Sequence, residues 1–390
     1  MRIYYKGYKI SMFVLLLGLY FTVVILGVVD LFSIGSILKY IAFLPILGAI
    51  GKHIYIGKGW KAVFLYYIFA IASFFWSINT EMSQDTAIAY ISLMLLLLFA
   101  MTQTYNEGEI AYLKKSLLWS SRISLVVSWM FANFSGGRLI IHESIMKEDP
   151  NYLCAYFYFG IAFCMEAFFV KKKIRVKLLS ISEILLYLLT ILFTGSRGGL
   201  FGGVLVAGIV YLRTTNIKSI SSIISKLLFI FILLLLLPLV ISVVNPDVME
   251  RFSADAIENS DGSGRYEIWN DAINAYCNYD SLSLLIGKGM GASRAVASLY
   301  HFSRVNVMHN VFLENLIGLG CIGSIMYIYS QYVFLKKSFY DYFAFAVFVG
   351  MFVLGLSTSI LYLKPFWNSL LFIACVSMNR FYIKSNSGIV

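Results

Sequence analysis

Residues 188–212 read LLTILFTGSRGGLFGGVLVAGIVYL, two apolar stretches that flank a single arginine, Arg197, among glycines. An ionised guanidinium is costly in or beside hydrocarbon and cannot escape that cost by losing its proton. Apolar stretches recur along nearly the whole chain, at about the 20-residue length that crosses a bilayer. The pattern predicts a polytopic membrane protein in which Arg197 lies at a turn between two spans.

The composition agrees with this prediction. Of the 390 residues 60% are hydrophobic and 13% are charged, and the mean hydropathy is +0.81. A soluble protein of this length could not bury so much apolar surface. We therefore predict an all-α fold, a single integral membrane domain over residues 1–390 with about twelve transmembrane helices. The predicted spans are 10–29, 31–51, 62–79, 86–102, 116–134, 151–170, 178–195, 199–212, 227–244, 309–335, 339–358 and 365–383.

The net charge of +11 follows from the distribution of the basic residues. Most of the 31 Lys and Arg fall on segments that these spans place on one side of the bilayer, among them KKKIRVK at 171–177. The positive-inside rule assigns that side, and with it both termini, to the cytoplasm. The charge therefore gives no reason to expect a nucleic-acid partner. The expected partner of the surface is the lipid bilayer.

The same topology leaves one long external loop, residues 245–308. Within it, SDGSGRYEIWNDAINAYC (260–277) predicts a helix that begins near Gly264, and the side chains on its apolar stripe are Trp269, Ala272, Ile273 and Tyr276. Arg265 falls in the first turn, where a cation opposes the helix dipole. A bound anion would justify this position, and so would a salt bridge to Glu258, Asp261 or Glu267. The sequence leaves both interpretations open.

Arg197 has a similar pair of interpretations. Gly198 and Gly199 permit a tight reversal and a close approach of a ligand to the backbone. The next span begins here, so its free N–H groups and positive dipole end add to the guanidinium. Together they would form a site for an anion, best for a phosphate. The alternative is an arginine that anchors a helix end among lipid headgroups.

Two further segments contain polar residues at external ends of spans. LIGKGMGAS (285–293) has three alternating glycines, but no strand precedes it, so we interpret it as a flexible turn rather than a nucleotide loop. VNVMHNVFLENLIGLG (305–320) clusters His309, Asn310 and Glu314 where an apolar span begins. A histidine accepts a proton near neutral pH, and Glu314 or Asn310 could orient it. A histidine that merely anchors the interface is the alternative.

Four of these motifs occur in the order of a known family: TGSRGGLFGG (194–203), SGRYEIW (263–269), IGKGMG (286–291) and HNVFLENLIGLGCIG (309–323). In this order they resemble the O-antigen ligase and polymerase superfamily, the Wzy and WaaL type. KEDPNYLCAYFYFG (147–160) resembles a segment common in the polymerase branch, which favours a polymerase.

The resemblance implies a GT-C-like glycosyltransferase in the inner (plasma) membrane, acting at its external face. Its donor would be a glycan on undecaprenyl pyrophosphate, and a flippase and a chain-length regulator of the same pathway are expected partners. The matching positions Arg197 and Arg265 would bind the pyrophosphate, and His309 would act on the acceptor hydroxyl or the leaving group. The full set of expected substrate-binding residues is Arg197, Arg265, Gly198, Gly199, Asn310, Glu314 and Asn151.

We expect neither a metal nor a cofactor. The carboxylates of the long loop, from Asp247 to Asp280, lack tight DxD spacing, and two arginines can neutralise the charge that develops on a leaving pyrophosphate. One alternative within the family is a ligase that transfers the glycan to the lipid A core. Another class is a flippase or transporter of lipid-linked sugars, which would need charged residues near the midplane. A structural scaffold would have no need of clustered external arginines.

Overall fold

A computed structural model of the chain describes residues 3–23, 25, 43–49, 56–57, 59–135, 137–141, 150–214, 224, 242, 246, 250, 261–304 and 307–379. These residues divide into two compact units. Unit 1 comprises the described parts of Met1–Gly48, Tyr105–Ala256 and Ser338–Leu354, and unit 2 those of Ala49–Thr104, Ile257–Lys337 and Gly355–Val390.

Unit 1 is mostly helical. Its helices are α1 (Met12–Val23), α2 (Leu44–Leu47), α5 (Glu107–Met130), α6 (Pro150–Val170), α7 (Ile174–Phe193), α8 (Arg197–Thr214) and α13 (Tyr342–Gly355). It also contains two antiparallel hairpins, β1 (Ile3–Tyr5) with β2 (Tyr8–Ile10), and β3 (Ala132–Ser135) with β4 (Arg138–Ile141). The prediction of an all-α chain therefore missed these short strands, which hold too few residues for an alternating pattern to show.

Unit 2 contains α3 (Trp60–Ala72), a 3₁₀ turn (Ser73–Trp76), α4 (Thr80–Ala100), α9 (Asp261–Cys277), α10 (Ser281–Ile286), α11 (Ser293–Leu299), α12 (Val311–Ser338) and α14 (Lys364–Ser377). The loop predicted to be external, residues 245–308, is thus helical over α9, α10 and α11. Together with α12, these helices enclose a small core, formed mainly by Ile268, Ala272, Ala275, Val296, Phe302 and Met308.

Four of the described helices are long and apolar enough to cross a membrane, namely α4, α6, α7 and α12. Three shorter apolar helices, Met12–Val23, Trp60–Trp76 and Tyr342–Gly355, accompany them. Of the predicted spans at 31–51 and 227–244, only 43–49 and 242 lie within the described residues. The membrane character is therefore supported, and the number of twelve spans, the GT-C-like arrangement and the single domain stay predictions.

Small residues let the helices of unit 1 approach closely around α6. A Cβ atom on Gly160 would collide with the ring of Tyr187 on α7, and one on Gly202 with the hydroxyl of Tyr158. Ser121 of α5 accepts a hydrogen bond from the Gly160 N–H at 2.8 Å. Packing of this kind replaces the hydrophobic driving force that is missing between helices in lipid.

Among the described residues of unit 1, the charged side chains inside the predicted spans are paired. Arg122 of α5 donates to both carboxylate oxygens of Glu183 on α7, at 2.7 and 3.1 Å. Lys114 contacts Asp341 at 2.7 Å and Glu166 at 3.7 Å. A charged side chain near a helix end can also avoid hydrocarbon by reaching towards the headgroups. Pairing is the stronger explanation, because it offsets part of the cost of removing each charge from water.

Candidate functional site

The Arg197 turn, residues 194–199, joins α7 to α8 in unit 1. The chain reverses at Gly195, which has a φ of 63° and donates its N–H to Leu192 at 2.8 Å. A left-handed φ favours glycine because it has no Cβ. Gly198 and Gly199, the glycines predicted to permit the reversal, instead lie in the first turn of α8. That assignment was wrong, since the reversal needs one glycine and the helix begins two residues later.

The first turn of α8 is held by a cap and by a close packing contact. The hydroxyl of Ser196 accepts the Gly199 N–H at 2.9 Å, which satisfies one of the orphan donors at the helix start. Gly199 packs against Cys154 of α6, where a Cβ atom would collide with the sulfur. The space beside the Cα atom of Gly199 is therefore occupied by the Cys154 side chain. Gly198 is half-exposed, so a ligand could approach the backbone there.

Arg197 is the first residue of α8 and is half-buried. At this position its charge adds to the positive end of the helix dipole. A second guanidinium binds the same turn: Arg138 of β4 donates through Nε to the carbonyl of Thr194 at 2.7 Å. Arg138 and Thr194 are 56 residues apart in the chain, so no local sequence pattern indicates the contact.

Asn151 lies at the same end of unit 1 as the Arg197 turn. It is buried in the first turn of α6, one turn before Cys154, whose sulfur is 3.4 Å from the Thr194 hydroxyl. Glu166, which contacts Lys114, lies near the other end of α6, roughly 20 Å away at 1.5 Å per residue. Residues predicted to be external and residues predicted to be cytoplasmic thus occupy opposite ends of this helix.

In unit 2, Arg265 lies half-buried on α9. Ile268, Ala272 and Ala275 form the buried face of this helix, whereas Ile273 is 48% exposed. The predicted stripe was therefore wrong for Ile273 and correct for Ala272.

The guanidinium of Arg304 packs against the first turn of α9. Gly264 has a φ of 77°, and the Arg304 guanidinium fills the space beside it. Glu267, one of the expected partners of Arg265, contacts Arg304 at 3.6 Å.

The His309 segment, residues 307–310, leads directly into α12. Both backbone polar groups of Met308 are bonded to side chains: its carbonyl accepts from the Trp269 indole at 2.9 Å, and its N–H donates to Glu314 at 3.1 Å. His309 itself has a φ of 48°, a conformation that costs free energy for any residue with a Cβ. The surrounding contacts therefore hold His309 in a backbone conformation that it would not adopt alone.

Asn310 and Glu314 complete this segment in different ways. Asn310 is the N-cap of α12, because its side-chain oxygen accepts from Phe312 and Leu313. Glu314 is 2% exposed and accepts hydrogen bonds from the Ser293 hydroxyl and from the Met308 N–H. The sequence indicated that Glu314 or Asn310 could orient His309, but not that Asn310 caps α12 or that Glu314 binds Met308 and Ser293.

The glycine turn, residues 287–291, is fixed by close packing. The N–H groups of Lys288 and Gly289 donate to the carbonyls of Ile317 and Gly318, where α12 is interrupted by the non-helical Gly320. A Cβ atom on Gly287 would collide with Gly318, and one on Gly289 with Ser77. The interpretation as a flexible turn was therefore wrong: the glycines allow the turn to cap a break in a helix.

The structure thus forms two clusters of the expected site residues. Unit 1 contains Arg197, Gly198, Gly199 and Asn151 at one end, and unit 2 contains Arg265, His309, Asn310 and Glu314. Within unit 2 the link is Trp269, four residues after Arg265 and bonded to the residue before His309. Among the described residues, no group of three or more His, Cys, Asp or Glu side chains is placed to hold a metal ion. The roles of all these residues stay predictions.

The comparisons with known proteins agree with the motif order. Residues 184–328 match the profile of a family described as O-antigen ligase. The matched segment runs from α7 into α12 and includes Arg197, Arg265 and His309. The resemblance found in the sequence is therefore confirmed over this part of the chain. A comparison with curated proteins gave no match.

Proposed function

We propose that the chain, whose residues 184–328 match a family described as O-antigen ligase, is a member of the O-antigen ligase and polymerase superfamily and a polysaccharide polymerase of the inner membrane. Members of the matched family are glycosyltransferase-like enzymes. The proposed reaction joins oligosaccharide repeat units that are carried on undecaprenyl pyrophosphate, at the external face of the membrane. In it, the growing glycan leaves its carrier and is transferred to a sugar hydroxyl of the next lipid-linked unit.

The chemistry needs cations at the leaving group and a base at the acceptor. Cleavage of the anomeric C–O bond leaves its electron pair on the pyrophosphate, and Arg197 and Arg265 would each stabilise that charge with guanidinium hydrogen bonds. His309 would take the proton from the attacking acceptor hydroxyl. Attack on the face opposite to the leaving group would invert the anomeric centre.

One observation carries the proposal. The matched family segment contains all three chemical groups, and in unit 2 the helix that carries Arg265 is bonded through Trp269 to the residue before His309. This hydrogen bond connects the helix of Arg265, the cation, to the segment of His309, the candidate base. The reaction requires the leaving-group site and the acceptor site to be held close to each other in this way. Asn151 and Gly198 are proposed as further contacts to the donor, beside Arg197.

The test uses the purified protein in proteoliposomes, with lipid-linked repeat units as both donor and acceptor. Wild-type protein is expected to form a ladder of products, and His309→Ala to form none while remaining folded by size-exclusion chromatography. A ladder from His309→Ala equal to that of the wild type would remove His309 from the mechanism. Equal activity with chelator and with magnesium is expected, because the arginines supply the positive charge.

The second candidate is the ligase reaction, which is favoured by the description of the matched family. The ligase reaction differs from the polymerase reaction in the acceptor of the glycan. A ligase would transfer glycan to lipid A core added to the same vesicles and would leave lipid-linked units unjoined in its absence. A transporter would instead move the lipid-linked sugar across the bilayer without forming any glycosidic bond.

The predicted topology fits the proposed reaction. With both termini in the cytoplasm, residues 245–308 and the Arg197 turn would face the external side, where the lipid-linked units are consumed. A flippase that delivers these units and a chain-length regulator are the proposed partners of the pathway.

A further inference from the structure

The backbone on both sides of Met308 is fixed by side chains that the proposed chemistry does not use. The Met308 carbonyl belongs to the peptide unit that ends at the His309 nitrogen, and it accepts from Trp269 at 2.9 Å. The Met308 N–H belongs to the preceding peptide unit and donates to Glu314 at 3.1 Å. Because Met308 is fully buried, loss of either bond leaves a buried polar group without its partner, which is costly.

The two hydrogen bonds to Met308 stabilise a strained backbone conformation at His309. A φ of 48° lies in the left-handed region, which a residue with a Cβ enters at a cost of about 1 kcal/mol or more. Such a conformation persists only where neighbouring contacts determine it. Those contacts are the two bonds to Met308 on one side and the Asn310 cap of α12 on the other. Asn310 also donates to the Leu356 carbonyl at 3.1 Å.

Both carboxylate oxygens of Glu314 accept hydrogen bonds from the protein. One oxygen accepts from the Ser293 hydroxyl at the start of α11, and the other accepts from Met308. Ser359 also lies against this carboxylate, and Arg294 provides a favourable charge. A buried carboxylate whose two oxygens are both engaged is suited to holding a segment in place rather than to binding a sugar.

Trp269 extends the same arrangement to the helix of Arg265. The two side chains are four residues apart on α9 and therefore lie on one face of that helix. The indole N–H reaches Met308 from this face. The distance from the guanidinium of Arg265 to the imidazole of His309 is thus determined in part by one hydrogen bond.

We propose that Trp269 and Glu314 are positioning residues that align His309 with a donor bound at Arg265. The inference rests on the proposed function. Neither side chain touches the reacting atoms. Their bonds to Met308 hold the imidazole at the acceptor hydroxyl while the pyrophosphate is bound one helical turn from Trp269.

The first test replaces Trp269 by Phe, which removes the N–H donor and keeps an aromatic ring. The matched control is Tyr276→Phe on the same helix, which removes a hydroxyl that donates to the Leu284 carbonyl at 2.7 Å and not to the His309 segment. In the proteoliposome assay, Trp269→Phe is expected to lower kcat about tenfold, the equivalent of one hydrogen bond, with donor KM unchanged. Tyr276→Phe is expected to leave both constants near their wild-type values.

The second test compares two variants of Glu314. Glu314→Gln keeps a side-chain oxygen for the Met308 N–H, whereas Glu314→Leu has a similar volume and no acceptor. A positioning role predicts that Gln retains most of the wild-type kcat and Leu loses it. Equal loss in both variants, or a raised donor KM with unchanged kcat, would overturn the inference, because the charge or a substrate contact would then be what matters.

A measurement independent of catalysis separates this inference from the proposed function. Hydrogen–deuterium exchange of the peptide that covers 307–312 is expected to be faster in Trp269→Phe than in wild type and unchanged in Tyr276→Phe. If the wild type forms no polysaccharide but exchange responds in this way, the function fails and the alignment of the segment stands. Unchanged exchange in Trp269→Phe overturns the positioning role, whatever the activity.

Discussion

The side chain of Cys154 occupies the space that a Cβ atom on Gly199 would need. Because of this close contact, the first turn of α8 packs directly against α6, and this packing determines the position of Arg197. Gly199→Ala is therefore expected to destabilise the protein by about 1–3 kcal/mol, the usual cost of overpacking. The measurement is the unfolding temperature of the purified protein in detergent.

Gly203→Ala on the same helix is the matched control for Gly199→Ala. Its added methyl group would meet the terminal carbons of Ile191, Ile161 and Leu188, none nearer than 3.3 Å, and these ends of flexible side chains can move. Equal melting temperatures for the two variants would show that the Cys154 contact does not constrain α8.

Arg197→Lys tests whether the planar guanidinium fork is required. Lysine keeps the charge but cannot donate two parallel hydrogen bonds to a phosphate. If Arg197 binds pyrophosphate, the change is expected to cost about 2–3 kcal/mol of transition-state stabilisation, roughly a hundredfold in rate. The glycan ladder of a complemented polymerase-null strain, read beside a membrane immunoblot, measures this.

Arg213→Lys provides the control for that experiment, because Arg213 is exposed in the last turn of the same helix. It is expected to give a normal ladder. Normal ladders from both Arg197→Lys and Arg197→Ala would show that Arg197 only anchors the helix end.

The pair of Arg122 and Glu183 predicts a non-additive effect on stability. Arg122→Met leaves the partly buried Glu183 carboxylate without its bidentate partner, whereas Arg122→Met with Glu183→Leu removes both charges. The single variant is expected to melt at a lower temperature than the double variant. Arg175→Met, at an exposed position on α7, should melt like wild type. A double variant that melts below the single one would contradict this account.

Asp280 predicts a particular pH dependence of stability. Hydrogen bonds from the Ser283 hydroxyl and N–H, and from Lys288, hold the pKa of the Asp280 carboxyl below its ordinary value. A depressed pKa contributes stability above the unfolded pKa of about 3.9, and that contribution is lost as the pH falls through the folded value. The difference in melting temperature between wild type and Asp280→Asn should be constant from about pH 8 to pH 5. A difference that already shrinks at pH 6 would assign the effect to another group.

Cys277 offers a native probe of topology. It is exposed at the end of α9, whereas Cys154, Cys164 and Cys375 are buried. A membrane-impermeant maleimide is expected to label the protein in intact spheroplasts, and Cys277→Ser should lose most of the label. Labelling of Cys277 only after permeabilisation would place residues 245–308 in the cytoplasm and exclude the proposed mechanism.

Several features of the chain were predictable from the sequence because they depend on local composition. A run of about 20 apolar residues can satisfy its backbone in lipid only as a helix, so α4, α6, α7 and α12 were anticipated. Polar residues at the ends of such runs, such as Arg197 and His309, stand out for the same reason. The order of four short motifs indicated the same family whose profile matches residues 184–328.

The tertiary structure alone decided how these groups are held. Arg122 and Glu183 are 61 residues apart in the chain, Trp269 and Met308 are 39 apart, and no local pattern connects them. The glycine turn likewise packs against a break in α12, a contact that its own sequence cannot indicate. The physical reason is that a hydrogen bond or a close packing contact depends on which helix faces lie together, and that is fixed by packing over the whole unit rather than by the residues on either side.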